Sequence, residues 1–86
     1  PDSKTFRNLA LAFEAMNKCG NMPCIMNAAN EIAVEAFLKD KIGFLQMTDV
    51  IETCMQKIAY IEKPTLQDYV NADVESRMMA KEIIYN

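Results

Sequence analysis

Apolar residues recur every three or four positions along most of the chain, which is the periodicity of amphipathic helices rather than of strands. Glycine and proline are sparse and divide the chain into a few such segments. The pattern predicts an all-α fold, a small domain similar to a four-helix bundle with a broken fourth helical region. We expect residues 1–86 to form this single helical domain.

The first predicted helix runs from Thr5, a potential N-cap, to Asn17. Gly20 stands where a left-handed C-terminal cap is expected, and Pro23 suits the start of the next helix. The first turn is therefore predicted at residues 19–22. One stripe of the first helix is apolar and contains Phe6, Leu9, Ala10, Phe13 and Met16.

The second predicted helix runs from Pro23 to Lys39 and is apolar on more than half of its circumference. Such a helix is typical of the centre of a bundle, where it packs on two sides. Its polar row contains Asn27, Glu31, Glu35 and Lys39. The residues predicted to point inward are Ile25, Ala29, Ile32, Ala33, Ala36 and Phe37.

The third helix is predicted after a break at Gly43 and a buried connector formed by Phe44 and Leu45. Thr48 is the predicted N-cap, and the helix continues to about Tyr60. Its predicted buried residues are Val50, Ile51, Cys54, Met55 and Ile58.

The fourth helical region is predicted to begin with a capping box formed by Thr65 and Asp68. Two apolar sets in this region do not share one helical phase: Leu66, Tyr69 and Val70, and then Met79, Ala80, Ile83 and Ile84. We therefore expect a short helix, a break near residues 71–73 and a final helix. Asp73 and Arg77 are spaced for an ion pair.

Three large residues, Phe13, Phe37 and Ile58, are predicted to lie in the core. The seven methionines are scattered over several segments, which favours gap-filling in the core over a dedicated binding groove. The acidic residues lie mostly on predicted outer faces, so a solvated surface is favoured over an acid/base pair.

Charge and composition exclude several function classes. Nine Lys and Arg against twelve Asp and Glu give a net charge of -3, which argues against a nucleic-acid partner. There is no histidine, and with only two glycines neither a Gly-x-Gly-x-x-Gly turn nor a P-loop is present. The longest apolar run, residues 9–13, is far shorter than the about 20 residues that span a membrane. We expect no membrane partner and a cytoplasmic protein.

The cysteines are Cys19, Cys24 and Cys54, an odd number whose spacing fits neither a disulfide framework nor paired zinc knuckles. We interpret them as reduced, small hydrophobic residues of a cytosolic protein. A redox pair is the alternative, and nothing else in the sequence supports it.

The segment from Asn27 to Glu31 places two asparagines inside a helix, where asparagine is disfavoured relative to alanine. Asn30 lies nearer the apolar side and is the stronger candidate for a buried amide. We predict that it tethers a neighbouring loop rather than facing a ligand. Whether Asn27, Asn30 and Glu31 have a role beyond structure stays open at this point.

This same segment carries a family resemblance. The run MNAANEIAVEAFL at residues 26–38, followed by Ile42-Gly43-Phe44, resembles the C-terminal region of the 1-deoxy-D-xylulose 5-phosphate reductoisomerase family. The similarity extends over essentially the whole chain, because several shorter stretches also resemble the family. These are Pro1-Asp2, Leu9-Ala10, Glu14-Ala15, residues 64–68, Ala72-Asp73 and Arg77.

The resemblance implies a parent enzyme of the non-mevalonate isoprenoid pathway. That oxidoreductase rearranges and reduces its sugar phosphate to 2-C-methyl-D-erythritol 4-phosphate with NADPH and a metal ion, Mg or Mn. The family holds NADPH in an N-terminal domain and carries the metal ligands and catalytic residues in a central domain. The resemblance also implies a homodimeric parent.

For this chain, the resemblance implies a C-terminal domain that supports the catalytic and NADPH-binding domains of its own parent chain. No catalytic, cofactor-binding or metal-binding residue is assigned within it, and we expect the piece alone to be non-catalytic. A start at Pro1 rather than Met favours a piece of a longer protein. Residues beyond those a minimal bundle needs are expected to form an apolar surface toward the parent: Phe6, Leu11, Leu66 and Tyr69. The alternative is a freestanding helical interaction module with a Met-rich binding surface.

Overall fold

The computed structural model describes the backbone of residues 3–86 and the side chains of residues 6–86. Four helices follow one another along the chain, and no strand occurs among these residues. They are α1 (Ser3–Lys18), α2 (Met22–Leu38), α3 (Phe44–Lys57) and α4 (Leu66–Tyr85). The predicted all-α, bundle-like fold is confirmed, while the capping role of Thr5 is wrong because α1 already begins at Ser3.

Helix α2 is the central element, as its broad apolar circumference predicts. It packs against α1, α3 and α4, and α3 also packs against both α1 and α4. Among the described residues, α1 and α4 make no contact with each other. The Cα atoms extend over 35 × 31 × 17 Å, so the four helices form a flat bundle with α1 and α4 on opposite sides of the α2–α3 pair.

The predicted turn between α1 and α2 is confirmed. Gly20 adopts a positive φ of 55°, and Pro23 lies in the first turn of α2, where its missing N–H costs no hydrogen bond. The capping box at the start of α4 is also confirmed. Thr65 Oγ1 accepts from the Asp68 N–H at 3.1 Å, and Asp68 Oδ2 accepts from the Thr65 N–H at 2.9 Å.

Helix α3 begins four residues before the predicted N-cap. Gly43 is the N-cap, and its N–H donates to Gln46 Oε1 at 2.7 Å. Phe44 and Leu45 are therefore exposed residues of the first helical turn rather than a buried connector. Thr48 is buried inside α3 and donates a hydrogen bond to Asn8 of α1. All five residues predicted to be buried by this helix are buried.

The predicted break in the fourth helical region is wrong, because α4 continues without interruption through residues 71–73. Its buried side consists of the small residues Ala72, Ser76 and Ala80. Ser76 donates to the Ile25 carbonyl of α2 at 2.7 Å, so a polar residue takes part in the helix packing. The mismatch in apolar phase arises because small and polar residues, rather than large apolar ones, mark the core side of α4.

The core contains aliphatic residues, methionine and many alanines, but no phenylalanine. Seven alanines are buried, whereas all four phenylalanines are at least 36% exposed. Of the three predicted core residues, Ile58 is confirmed at 3% exposure, and Phe13 and Phe37 are wrong. Phe37 instead packs edge-on against Phe44 at the surface, with ring centroids 6.1 Å apart. Small side chains allow close approach of the helix backbones, which leaves little room for aromatic rings between them.

Most methionines fill the core, as predicted. Met22 and Met55 are buried, and Met26, Met47 and Met79 pack against the core from its edge. Met16 and Met78 are the exceptions, since both lie exposed on outer helix faces. The methionines therefore do not form one binding groove.

The buried amide of the bundle belongs to Asn21, not to Asn30. Asn21 Nδ2 donates to the Ala59 carbonyl at 3.0 Å, and its Oδ1 accepts from the Ile61 N–H at 2.9 Å. Its own N–H donates to the Ile61 carbonyl at 3.0 Å. Asn30 is exposed on α2, so the predicted tether exists but was assigned to the wrong asparagine.

Candidate docking surface

The outer side of α1 is an uncharged apolar face. We call Phe6, Leu9, Ala10, Phe13 and Met16 the α1 outer face. All five are exposed in the structure, and Phe6 and Met16 each retain 67% of their accessible surface. Their spacing of three and four residues places them on one side of the helix. The predicted stripe is therefore real, but it points away from the bundle.

A narrower side of α1 faces the bundle. Its buried residues, Leu11 and Ala15, are spaced by four and lie opposite the α1 outer face. The expectation that Leu11 would be part of the exposed surface is wrong for this reason. The larger apolar volume of α1 thus remains outside, while a small contact fixes the helix to α2 and α3.

Polar contacts set the orientation of α1 on the bundle. Arg7 Nη2 lies 2.8 Å from Asp49 Oδ1 and 2.9 Å from Glu52 Oε1 on α3. Hydrogen bonds to Asp49 and then to Glu52 raise the pKa of Arg7 above its ordinary value. Near the other end of α1, the Tyr60 hydroxyl donates to the Lys18 carbonyl. These contacts hold α1 with its apolar side outward.

The α1 outer face includes a shallow groove of about 400 Å³. It is lined by Phe6, Leu9, Ala10, Phe13, Glu14 and Asn17. Only Glu14 in this lining is charged. A surface of this composition suits an apolar partner segment better than a polar small molecule.

A second exposed apolar set lies on α4. We call Leu66, Val70, Val74 and Met78 the α4 ridge, because they recur every four residues on the outer side of that helix. Phe6, Leu66 and Tyr69 are exposed as predicted, at 67%, 81% and 41%, but they lie on two helices that do not contact each other within the described part of the chain and so do not form the single predicted surface. The α1 outer face and the α4 ridge belong to helices on opposite sides of the bundle.

Asn27 and Glu31 are exposed, as Asn30 is, but they belong to a polar network between α2 and α4. Glu31 Oε2 accepts from Asn27 Nδ2 at 3.1 Å and from Arg77 Nη2 at 3.2 Å. Arg77 also bonds Asp73 at 3.0 Å, which confirms the predicted pair. Hydrogen bonds to Asp73 and then to Glu31 raise the pKa of Arg77. Arg77 pairs with both carboxylates, so the network joins α2 to α4.

The cysteines are spread over different environments. Cys54 is buried, Cys24 is partly buried and Cys19 is exposed, so the expectation of buried thiols fails for Cys19. Burial raises the pKa of both the Cys24 and the Cys54 thiols, which disfavours the reactive thiolate at neutral pH. All three are free thiols in the structure.

Within residues 3–86, no three side chains of His, Cys, Asp or Glu come together as a metal site. Gly20 and Gly43 form a helix C-terminal turn and an N-cap, not a phosphate-binding loop. No helix in the same part of the chain is long and apolar enough to cross a membrane.

Comparison with known proteins identifies the family to which this arrangement belongs. Residues 1–79 match the family model described as the DXP reductoisomerase C-terminal domain, where DXP is 1-deoxy-D-xylulose 5-phosphate. The chain belongs to this family. The resemblance of the MNAANEIAVEAFL segment is thereby confirmed, and the freestanding-module alternative has no support among the relatives.

The relatives of the DXP reductoisomerase C-terminal domain are much longer than this chain. It is 62% identical over 84 residues to the 1-deoxy-D-xylulose 5-phosphate reductoisomerase of Phocaeicola vulgatus, covering 98% of this chain and 22% of that protein. The Bacteroides thetaiotaomicron enzyme is 58% identical over 84 residues, again covering 98% of this chain and 22% of that protein. The structure also resembles the Zymomonas mobilis reductoisomerase in complex with NADPH, with a TM-score of 0.86 and 38% identity, covering 100% of this chain and 23% of that one. The chain thus spans less than a quarter of the length of these relatives.

Proposed function

We propose that this chain is the C-terminal support domain of a 1-deoxy-D-xylulose 5-phosphate reductoisomerase. The parent enzyme converts 1-deoxy-D-xylulose 5-phosphate to 2-C-methyl-D-erythritol 4-phosphate with NADPH, in the non-mevalonate route to isoprenoids. The observation that carries the proposal is the family match over residues 1–79, together with 62% identity to a reductoisomerase of which the chain covers 22%.

We propose further that residues 1–86 form one domain without catalytic, cofactor-binding or metal-binding residues. The NADPH site and the site for Mg or Mn would lie in the remaining three quarters of the parent. The donor chemistry of residues 3–86 supports this division, since their carboxylates are solvated or paired with arginine and lysine rather than gathered as metal ligands. A homodimeric parent and a cytoplasmic location remain predictions from the sequence.

In the proposed supporting role, this domain holds the neighbouring catalytic domain in position. A catalytic domain whose walls shift by about 1 Å can lose on the order of 100-fold in rate, because reacting atoms must be held in a near-attack geometry. A bundle with a capping box at the start of α4 and a buried amide tether is suited to fixing one wall. The bundle would therefore act on turnover through the geometry of its neighbour.

Enzyme activity with and without the domain tests this function. The full-length parent should oxidise NADPH in the presence of 1-deoxy-D-xylulose 5-phosphate, and a parent truncated before Pro1 should lose at least about 100-fold in turnover. Chain 1–86 alone should show no such oxidation.

Three results would contradict the proposal. A full-length parent that fails to turn over this substrate would exclude the reaction, and a truncated parent with full turnover would exclude the support role. Micromolar NADPH binding by chain 1–86, measured by titration calorimetry, would exclude the assignment of the cofactor site to the rest of the parent.

A further inference from the structure

We propose that the α1 outer face is the surface on which the preceding part of the reductoisomerase chain docks. Helix α1 would then be shared, with Leu11 and Ala15 packed on the bundle and the opposite side packed on the rest of the enzyme. The proposal rests on the proposed function, because that function supplies the occupant. It adds the side of the bundle and the residues that make the contact.

The composition of the face supports a buried contact. Two phenylalanines, a leucine and a methionine are exposed side by side, while none of the four phenylalanines of the chain is buried in the core. Aromatic residues and methionine are enriched in the cores of interfaces, and lysine and glutamate are depleted there. None of the five residues of the α1 outer face is charged, although 24% of the chain is. This face is therefore suited to permanent burial.

The position of the face in the chain points to the occupant. Relatives of this family are several times longer than the chain, and the family description places the matched part at their C-terminal end. The remaining chain of such an enzyme joins at the α1 end of the bundle. The first helix that follows this remaining chain is α1, whose larger apolar side is not covered by the other helices.

The size of the face also favours a covalently linked occupant over a second copy. From their exposures, its five side chains offer on the order of 500 Å² of apolar area. A stable interface between separate molecules buries about 800 Å² on each partner. A segment of the same chain is held at high effective concentration and loses less freedom on docking, so a smaller patch suffices.

Oxidation of methionine by hydrogen peroxide tests the proposal in the full-length enzyme. Met16 of the α1 outer face and Met78 of the α4 ridge are a matched pair, since they are 67% and 65% exposed in the bundle. A tryptic peptide of residues 8–18 reports Met16 alone, and tandem mass spectrometry separates Met78 from Met79. Buried Met55 is the internal standard for an intact core.

Docking predicts that Met16 is oxidised at least tenfold more slowly than Met78 in the full-length enzyme. The protection should be unchanged by a hundredfold dilution, because the occupant is part of the same chain. Equal oxidation of the two methionines would overturn the proposal. Protection that disappears on dilution would assign the face to a second copy and would overturn the choice of occupant.

A pair of substitutions tests whether contact at the α1 outer face protects Met16 from oxidation. Leu9→Glu should bring Met16 oxidation to within about threefold of Met78 in the full-length enzyme. Val74→Glu, on the α4 ridge at 50% exposure against 53% for Leu9, should leave Met16 protected. Unchanged protection in Leu9→Glu would overturn the proposal. If Met55 is oxidised as well, the variant has unfolded. The ratio of Met16 to Met78 oxidation in the unsubstituted enzyme then decides whether the proposal holds.

Activity of the same samples separates this proposal from the proposed function. A full-length protein that protects Met16 but does not reduce 1-deoxy-D-xylulose 5-phosphate would refute the reaction and support the docking face. An active enzyme with equally oxidised Met16 and Met78 would refute the docking face and leave the reaction standing.

Discussion

Asn21 is the polar residue on which two connections of the bundle depend. Its amide and its backbone N–H together make three hydrogen bonds to the backbone of Ala59 and Ile61, in the loop between α3 and α4. The residue is 1% exposed, so water cannot replace these partners. The α1–α2 turn is thereby fixed to the loop that passes beside it.

Replacement of this amide should destabilise the chain. Asn21→Ala removes the side-chain partners of the Ala59 carbonyl and the Ile61 N–H. Two lost hydrogen bonds, each with a net contribution of about 0.5 to 1.5 kcal/mol, should lower the free energy of unfolding by about 1 to 3 kcal/mol. Asn30→Ala is the matched control, because Asn30 is exposed, and should change the free energy by less than about 0.5 kcal/mol. Urea unfolding of both variants measures the difference. A larger loss in Asn30→Ala than in Asn21→Ala would contradict the assignment.

Among the hydrophobic residues, the larger side chain is not always the more buried one. Ile58 is 3% exposed, and Ile58→Ala should cost about 2 to 5 kcal/mol because a cavity remains in the core. Phe37 is 36% exposed and contacts Phe44 at the surface, so Phe37→Ala should cost about 1 to 3 kcal/mol, from the covered part of the ring and from the aromatic pair. Denaturant unfolding compares the two. A greater cost for Phe37→Ala would place that ring in the core.

At the scale of elements, the sequence was sufficient to locate the turns. Gly20, Pro23 and the Thr65–Asp68 box act through local chemistry, namely a positive φ, a missing N–H and a reciprocal side-chain cap. Local signals of this kind need no knowledge of neighbouring helices. The resemblance of the MNAANEIAVEAFL segment supplied the family in the same direct way.

The orientation of α1 and the continuity of α4 could not be obtained from the sequence. Helix α4 packs on the bundle through the small residues Ala72, Ser76 and Ala80, and α1 packs through Leu11 and Ala15 while its larger set of apolar side chains stays outside. A rule that turns the largest apolar side chains inward therefore selects the wrong side of α1 and finds two phases in α4. One pattern in the sequence does mark the buried side of a helix: alanine and serine recur every four residues, opposite a row of larger side chains.

The two glycines give a matched test of the turn between α1 and α2. At Gly20, a Cβ would lie 2.2 Å from the Ile61 carbonyl oxygen, and φ is already positive. At Gly43, the nearest atom to a Cβ is Gln46 Oε1 at 3.7 Å, which is ordinary contact.

Gly20→Ala should therefore cost more than about 2 kcal/mol, since the left-handed conformation alone costs about 1 to 2 kcal/mol for a residue with a Cβ. Gly43→Ala should stay within about 1 kcal/mol of the unsubstituted chain, the usual cost of losing a good N-cap residue. Thermal unfolding followed by circular dichroism measures both. Equal effects would show that the Ile61 loop moves freely away from the turn.

At the scale of the whole molecule, the flat arrangement explains why so much apolar surface remains. With α1 and α4 on opposite sides of the α2–α3 pair, each outer helix is covered by the bundle on one side only. A chain of 86 residues has a small core, and domains of roughly this size rarely gain more than about 3 to 5 kcal/mol from it. Contact with a larger parent would add stability as well as position.

Substitution of Asn21 in the full-length parent tests the effects of the domain on stability and on catalysis separately. Asn21→Ala loosens a loop inside the bundle, away from the α1 outer face, so it should lower the temperature at which activity is lost. Turnover and the KM for NADPH at room temperature should stay within about twofold, because the bundle remains folded and the proposed function places the substrate and cofactor sites in the rest of the parent. Asn30→Ala should change neither quantity. A large fall in turnover in Asn21→Ala with an unchanged melting temperature would mean that the α1–α2 turn contacts the reaction itself, contrary to a purely supporting role for this domain.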